Sequence, residues 1–112
     1  MTNLLRDLPD ASVGEVFTSL LDRPGCRIER IVSHGQTTPE QAPYRQAHEE
    51  WVLLLQGAAR IVLAGREVTL EPGDALFIPA ATEHWVTYTD PAVATVWLAI
   101  HLGEADRAPA SA

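Results

Sequence analysis

The sequence contains no lysine, and all 8 of its basic residues are arginine. They are outnumbered by 15 acidic residues, so the formal net charge at pH 7 is −7. A protein that binds nucleic acid or an anionic membrane needs a clustered basic face, which this composition does not provide. We therefore expect neither nucleic acid nor a membrane as a partner.

Cysteine is nearly absent too, because Cys26 is the only one. This excludes an intramolecular disulfide, a CxxC motif and a zinc site built from several thiolates. No run approaches the ~20 apolar residues that a membrane-spanning helix needs. The first residues, MTNLLRDLPDAS, lack the basic and then apolar pattern of a secretory signal. The expectation is a soluble, cytoplasmic protein.

Patterns typical of a long helix are also missing, and short β-rich runs separated by glycine and proline turns take their place. These runs lie at residues 13–21, 26–34, 52–56, 58–63, 67–74, 75–79, 84–89 and 94–102. The first fits either a strand or a short helix, and we favour a strand. A spacing of about 8 to 12 residues between strands is typical of sandwiches and barrels. The sequence predicts one all-β domain over 1–112, with a core at 26–102 and frayed ends at 1–12 and 103–112.

Two groups of residues resemble the paired motifs of the cupin superfamily, and the resemblance covers residues 26–102. In the first, Glu50 is followed after six residues by Gly57. The second is the stretch EPGDALFIPAATEHW, which contains Gly73, Pro79 and His84 at the family spacing. The resemblance is to small, single-domain, conserved-barrel cupins, and it implies a cupin-type jelly-roll β-barrel. It also implies that Glu50 and His84 stand where the family has a metal-binding glutamate and histidine.

The first motif departs from the family pattern at its two histidine positions. With three residues before the glutamate, these positions fall on Tyr44 and Gln46, and with four they fall on Pro43 and Arg45. Neither alignment supplies a histidine. In the second motif, Ala81 stands for the usual glycine. A metal site in this chain would therefore be degenerate.

The stretch YRQAHEEW carries a polar stripe that could complete such a site. Its Tyr44, Gln46, His48 and Glu50 have the same parity, so an extended chain directs them to one side. In the metal hypothesis the ligands are Glu50, His84 and His48, with Gln46 as a weak fourth donor. The ion would be divalent Fe, Mn, Ni or Zn. In the alternative, His48 faces solvent in the loop before the strand, and the protein holds no metal.

A second mixed face occurs in ATVWLAIHL, where Trp97 and His101 alternate with aliphatic residues. If this face looks into the barrel, Trp97 and His101 line a ligand pocket together with Tyr44 and Tyr88. In the alternative, His101 is a hydrogen-bonded histidine at a strand end and Trp97 packs against a neighbour. The sequence does not decide which strand faces point inward.

The tryptophans Trp51 and Trp85 directly follow Glu50 and His84, so each points to the opposite, outer face. Tryptophans on an outer surface usually cover another surface, which suggests a homodimer. The alternative is that the N-terminal segment covers them.

Three functions fit these observations. One is a metal-dependent enzyme such as the dioxygenases and isomerases that the resemblance implies. Another is a metal-free barrel that binds or senses a small molecule. The third is a dimeric interaction protein with a vestigial pocket. The retained Glu50 and His84 favour the metal site, and without metal they could act as an acid and base pair in an isomerisation or lyase step. The sequence leaves the substrate open.

Overall fold

Eight strands follow one another in the computed structural model, which describes residues 1–103 and places no helix among them. This confirms the all-β prediction, and the segment left open between strand and helix is the first strand. The strands are β1 Val16–Arg23, β2 Cys26–Ser33, β3 Glu49–Gln56, β4 Ala59–Leu63, β5 Arg66–Leu70, β6 Ala75–Ile78, β7 His84–Thr89 and β8 Thr95–Leu102.

The strands form two antiparallel sheets with a shared apolar core. The larger sheet has the order β1-β2-β8-β3-β6, and the smaller has the order β5-β4-β7. The last strand of the chain, β8, therefore lies between β2 and β3, as the long crossovers of a jelly roll require. The buried core residues come from both sheets, and they are Ile31, Val52, Leu54, Ala59, Ile61, Leu70, Ile78, Val86, Trp97 and Ala99.

Alternation along β3 fixes which side chains face this core. Glu50, Val52 and Leu54 are fully buried, whereas Trp51 and Leu53 between them are only partly buried. Because successive side chains of a strand point to opposite faces, Glu50 shares the inner face with two core residues. The carboxyl group is therefore brought into the barrel by the packing of its neighbours.

Two turns need backbone conformations that favour glycine. Gly57 has a φ of 90°, and a Cβ atom built there would lie 2.4 Å from Thr95 Oγ1 and 2.7 Å from Thr95 Cα. The turn after β3 can therefore pass over β8 only without a side chain. Ala81 has a φ of 57°, and its N–H donates to the Gln46 carbonyl at 2.6 Å. This bond ties the turn before β7 to the segment before β3.

The N-terminal residues, which were predicted to fray, contact the barrel at two points. Arg30 Nη1 donates to the Leu4 carbonyl at 3.3 Å, and Gln36 Nε2 donates to the Ala11 carbonyl at 2.6 Å. Of the predicted frayed C-terminal end, residues 104–112 lie outside the described part of the chain. Residues 1–103 contain no helix long and apolar enough to cross a membrane.

Candidate functional site

The central residue of the candidate site is Glu50. It lies on β3 opposite His101 of β8 and is 0% exposed, and the side chain of Gln46 is the hydrogen-bonding group nearest its carboxylate oxygens, although no well-aligned hydrogen bond reaches them from residues 1–103. Burial, and next the negative charge of Glu29, raise the pKa of Glu50 well above its usual value. Gln46 and Arg27 act in the opposite direction but are weaker. The surroundings of Glu50 thus favour its protonated form over the carboxylate.

Beside Glu50 lies a buried chain of three hydrogen-bonded side chains. His48 Nε2 is 2.8 Å from His101 Nδ1, and His101 Nε2 is 3.1 Å from Glu29 Oε1. The two rings meet edge to face, with centroids 4.8 Å apart. All three side chains are at most 6% exposed. The chain crosses the sheet from β2 through β8 to the residue before β3, so strand register brings these distant residues together.

His84 enters the site from the smaller sheet and is fully buried. Its Nδ1 lies 3.1 Å from the Thr82 carbonyl oxygen, which can only accept, so Nδ1 carries the hydrogen. Burial lowers the pKa of His84, and the bond to the Thr82 carbonyl opposes that shift. The ring is therefore neutral at pH 7, with its lone pair on Nε2.

Tyr44 lies directly against His84. The two residues exchange backbone hydrogen bonds of 2.9 Å in both directions, and their rings are 5.6 Å apart. Burial and then the negative charges of Glu15 and Glu50 raise the pKa of Tyr44, while a hydrogen bond with Thr38 opposes this. Tyr44 is thus within electrostatic range of Glu50 as well as in contact with His84, and its role as a pocket residue stays a prediction.

Trp97, which was predicted to line the pocket, lies in the hydrophobic core. Its side chain is fully buried with Ile31 and Leu54, and its Nε1 donates to Ser33 Oγ at 3.1 Å. The Ser33 hydroxyl in turn donates to the Glu15 carboxylate. Burial raises the pKa of Glu15, and the bond from Ser33 opposes that shift. Trp97 therefore matches the alternative interpretation, in which it packs against neighbours.

Tyr88 is not brought to the site, because β7 contains a bulge. Arg60 of β4 pairs with Tyr88, but the next residue, Ile61, pairs with Val86, so Thr87 is an extra residue. A bulge of this kind reverses which face the following side chains occupy. Tyr88 packs on the outer side, where the guanidinium of the exposed Arg60 lies 4.6 Å from its ring centroid.

The predicted metal ligands do not assemble into a metal centre. Glu50, His84, His48 and Gln46 are all buried, yet residues 1–103 contain no group of three or more His, Cys, Asp or Glu side chains that could hold a metal ion. The bare oxygens of Glu50 would suit a cation. Nε2 of His48 is engaged with His101, so His48 could bind a metal only through Nδ1, and the predicted ligand set stays a prediction.

Sequence reasoning missed the charged residues of β2. Arg27 and Glu29 share their parity with the buried Ile31, but the other face of β2 also carries Arg30 between Ile28 and Val32. Neither face of CRIERIVS is wholly apolar. The alternation of apolar and polar residues along β2 therefore could not predict that the Glu29 carboxylate faces inward. Only the pairing of β2 with β8 places Glu29 beside His101.

An eight-stranded antiparallel barrel with buried polar residues at one end of its interior defines the class of this protein. A family model described as a cupin domain matches residues 29–101. The chain belongs to the cupin family. The match confirms the resemblance seen in the two sequence motifs. A search of the curated proteins gave no significant match.

Solved structures similar to this chain include proteins from several bacteria. One from Ralstonia eutropha, for which mannose-6-phosphate isomerase activity has been proposed, is 40% identical with a TM-score of 0.88, covering 92% of this chain and 97% of that one. A cupin superfamily protein from Desulfitobacterium hafniense is 20% identical, with a TM-score of 0.69 and the same coverages of 92% and 97%. An RmlC-like cupin from Shewanella frigidimarina is 15% identical, with a TM-score of 0.71 and coverages of 83% and 79%. The last two share the fold alone.

Proposed function

We propose that this chain is an isomerase-like enzyme that moves protons on a small molecule inside the barrel. The observation that carries the proposal is Glu50, a fully buried carboxyl group on the inner face of β3 whose oxygens make no well-aligned hydrogen bond in the described part of the chain. An unsatisfied buried group costs about 1–3 kcal/mol. Ionisable groups with strongly shifted pKa values cluster at functional sites. A raised pKa favours the protonated form of Glu50, which is the form that can donate a proton to a substrate.

His84 provides the matching base. Its Nδ1 hydrogen faces the Thr82 carbonyl, so the lone pair of the neutral ring is on Nε2. Burial lowers the pKa of His84, which keeps the ring neutral and able to accept a proton at pH 7. Tyr44 contacts His84 and interacts electrostatically with Glu50, so its phenol can orient a substrate between the two groups.

A neutral acid and a neutral base together can isomerise a hydroxy-carbonyl compound. His84 takes the proton from the carbon next to the carbonyl, and Glu50 gives its proton to the carbonyl oxygen, which produces an enediol. His84 then returns the proton to the former carbonyl carbon, and the Glu50 carboxylate takes a proton from the other hydroxyl. The isomer is formed and both groups are restored, with no other reactant consumed.

The proposed activity of the 40% identical protein from Ralstonia eutropha supports sugar phosphates as the first substrates to assay. In D2O, wild-type protein incubated with mannose 6-phosphate or fructose 6-phosphate is expected to place deuterium on the carbons flanking the carbonyl, as followed by proton NMR. Glu50→Gln should slow this exchange about 10²- to 10⁴-fold, because the proton donor is lost. Glu49→Gln alters the exposed neighbour of Glu50 on β3 and should leave the rate unchanged. Equal rates in wild type and Glu50→Gln would refute the proposal.

Metal content of the same tag-free samples separates this chemistry from the metal hypothesis. We derive no step through a metal, because the donor set does not reach three ligands. Elemental analysis after reconstitution with Fe, Mn, Ni and Zn is expected to give well under one metal per chain. Near-stoichiometric metal that is lost in both His84→Ala and His48→Ala, but kept in His34→Ala, would instead make these residues ligands of a metallo-enzyme.

A second function, binding or sensing without catalysis, is favoured by the closure of the site. Gln46, His48, Glu50, His84 and His101 are at most 8% exposed, so a bound small molecule would be largely enclosed by protein. A ligand that raises the melting temperature without any deuterium exchange would identify this function.

A cytoplasmic location remains a prediction.

We also propose that the outer face of the larger sheet joins two copies of the chain. Trp51, Leu53, Leu98 and Ile100 are partly buried there, and Phe77 is 46% exposed next to Trp51. The chain carries a net charge of −7, so two copies repel over most of their surface and can meet best on an uncharged face. A symmetric dimer would bury the same patch on both copies.

Light scattering after size-exclusion chromatography tests the dimer. Wild-type protein is expected to elute with the mass of two chains and Phe77→Glu with the mass of one, because a charge buried in an apolar contact has no partner. The matched control is Phe17→Glu on β1, where the phenylalanine is 38% exposed but lies away from this patch. A monomeric wild type, or a dimeric Phe77→Glu, would contradict the assignment.

A further inference from the structure

The contacts within the chain of Glu29, His101 and His48 fit one direction of hydrogen donation when Glu29 is a carboxylate and both imidazoles are neutral. A carboxylate has no hydrogen to donate, so Glu29 Oε1 accepts from His101 Nε2–H. A neutral imidazole carries one hydrogen, so His101 Nδ1 is an acceptor. His48 Nε2 therefore donates its hydrogen to His101 across 2.8 Å. This leaves the lone pair of His48 on Nδ1.

We propose that these three residues form a proton relay into the site, in which Glu29 is a positioning residue that fixes the tautomers of both histidines. His48 lies two residues before Glu50, and burial alternates in this stretch: Gln46, His48 and Glu50 are buried while Ala47 and Glu49 are exposed. The relay therefore ends on the same side of the chain as the Glu50 carboxyl group.

The relay can take up one proton without leaving a charge on His48. When Nδ1 of His48 accepts a proton, its Nε2 hydrogen passes to Nδ1 of His101, and His48 is again neutral. His101 is then an imidazolium ion with hydrogens on both nitrogens, and it is hydrogen-bonded to the Glu29 carboxylate at 3.1 Å. The positive charge thus comes to lie next to a buried negative one, which is the only favourable place for it in a low-dielectric interior.

The two buried carboxyl groups, Glu29 and Glu50, have different surroundings in this arrangement. Glu29 lies 3.1 Å from His101 Nε2, and the negative charge of its carboxylate is one of the causes that raise the pKa of Glu50. Acid–base sites typically contain two titratable groups whose pKa values are shifted apart by their different surroundings. The relay adds a second proton acceptor to the site. Its part in turnover rests on the proposed function, whereas the positions of its hydrogens do not.

Long-range proton–nitrogen NMR of the substrate-free protein tests the relay directly. In the wild type, His48 and His101 are both expected to be single Nε2–H tautomers. Glu29→Gln keeps the shape of the side chain, but its amide can donate as well as accept, so His101 should gain a population with the hydrogen on Nδ1. Glu15→Gln is the matched control, because that half-buried carboxylate accepts from Ser33, and no hydrogen bond joins it to His48 or His101. It should leave both tautomers unchanged.

The wild-type spectrum alone decides the assignment, even if a variant fails to fold. An Nδ1–H tautomer of His101, or unchanged tautomers in a folded Glu29→Gln protein, would overturn the relay. With a substrate of the proposed reaction, Glu29→Gln is expected to lower kcat about 10- to 100-fold while KM stays the same, as expected for a residue that acts through another. Since the spectra need no substrate, failure of the proposed function would leave the tautomer result intact.

Discussion

Replacing Gly57 with alanine is expected to destabilise the protein by about 2–5 kcal/mol or to prevent folding. Two costs add at this position. The φ of 90° lies in a region that costs a residue with a side chain about 1–3 kcal/mol. The new Cβ would also lie 2.9 Å or less from three atoms of Thr95, one of them the backbone Cα, and forced overpacking costs about 1–3 kcal/mol. Because Thr95 is fully buried at the start of the central strand β8, it cannot move aside cheaply.

Urea denaturation of Gly57→Ala beside Gly65→Ala separates the two costs. Gly65 also has a positive φ, of 76°, but nothing lies within 4 Å of a Cβ built there. Gly65→Ala should therefore lose only the backbone term, about 1–2 kcal/mol. If Gly57→Ala loses no more stability than Gly65→Ala, close packing of this turn on β8 is not what requires glycine.

Gly57 also illustrates why the fold could be predicted from the sequence. Glycines and prolines mark the ends of short alternating runs, and these are local signals that one chain displays without knowledge of its partners. The two motifs around Glu50 and His84 added spacing that matched a known family. Every predicted run therefore corresponds to a strand, although several boundaries differ by one to four residues.

The arrangement of the site depends on information that is not local. Glu29 and His101 are 72 residues apart in the chain and meet only because β2 pairs with β8. The bulge at Thr87 turns Tyr88 away, and no turn residue or break in hydrophobicity marks it in HWVTYT. The parity of YRQAHEEW did indicate correctly that Gln46, His48 and Glu50 share one side. It could not show that a hydrogen bond to His101 occupies one nitrogen of His48.

Glu50→Gln is expected to stabilise the protein, and to do so more strongly as the pH rises. The folded-state pKa of Glu50 is raised well above the ordinary value of 4.5, mainly by burial. At acid pH, below the ordinary value, the carboxyl is protonated in both the folded and the unfolded state, so its ionisation costs no stability. As the pH rises past that value, the unfolded chain releases the proton while the folded protein keeps it, so the free energy of unfolding falls. The decline ends only when the pH passes the folded-state pKa.

Urea denaturation of wild type and Glu50→Gln between pH 4 and 9 measures this difference. Glutamine does not titrate, so the two curves should lie closest together at the acid end and separate steadily as the pH rises. Glu49→Gln should follow the wild-type curve, because Glu49 is exposed on the other face of β3. A gap that is constant across the pH range would mean that Glu50 has an ordinary pKa and is an ion in the folded protein. The same substitution is expected to abolish proton exchange, so a gain in stability with a loss of activity would mark Glu50 as a residue kept for chemistry at the expense of the fold.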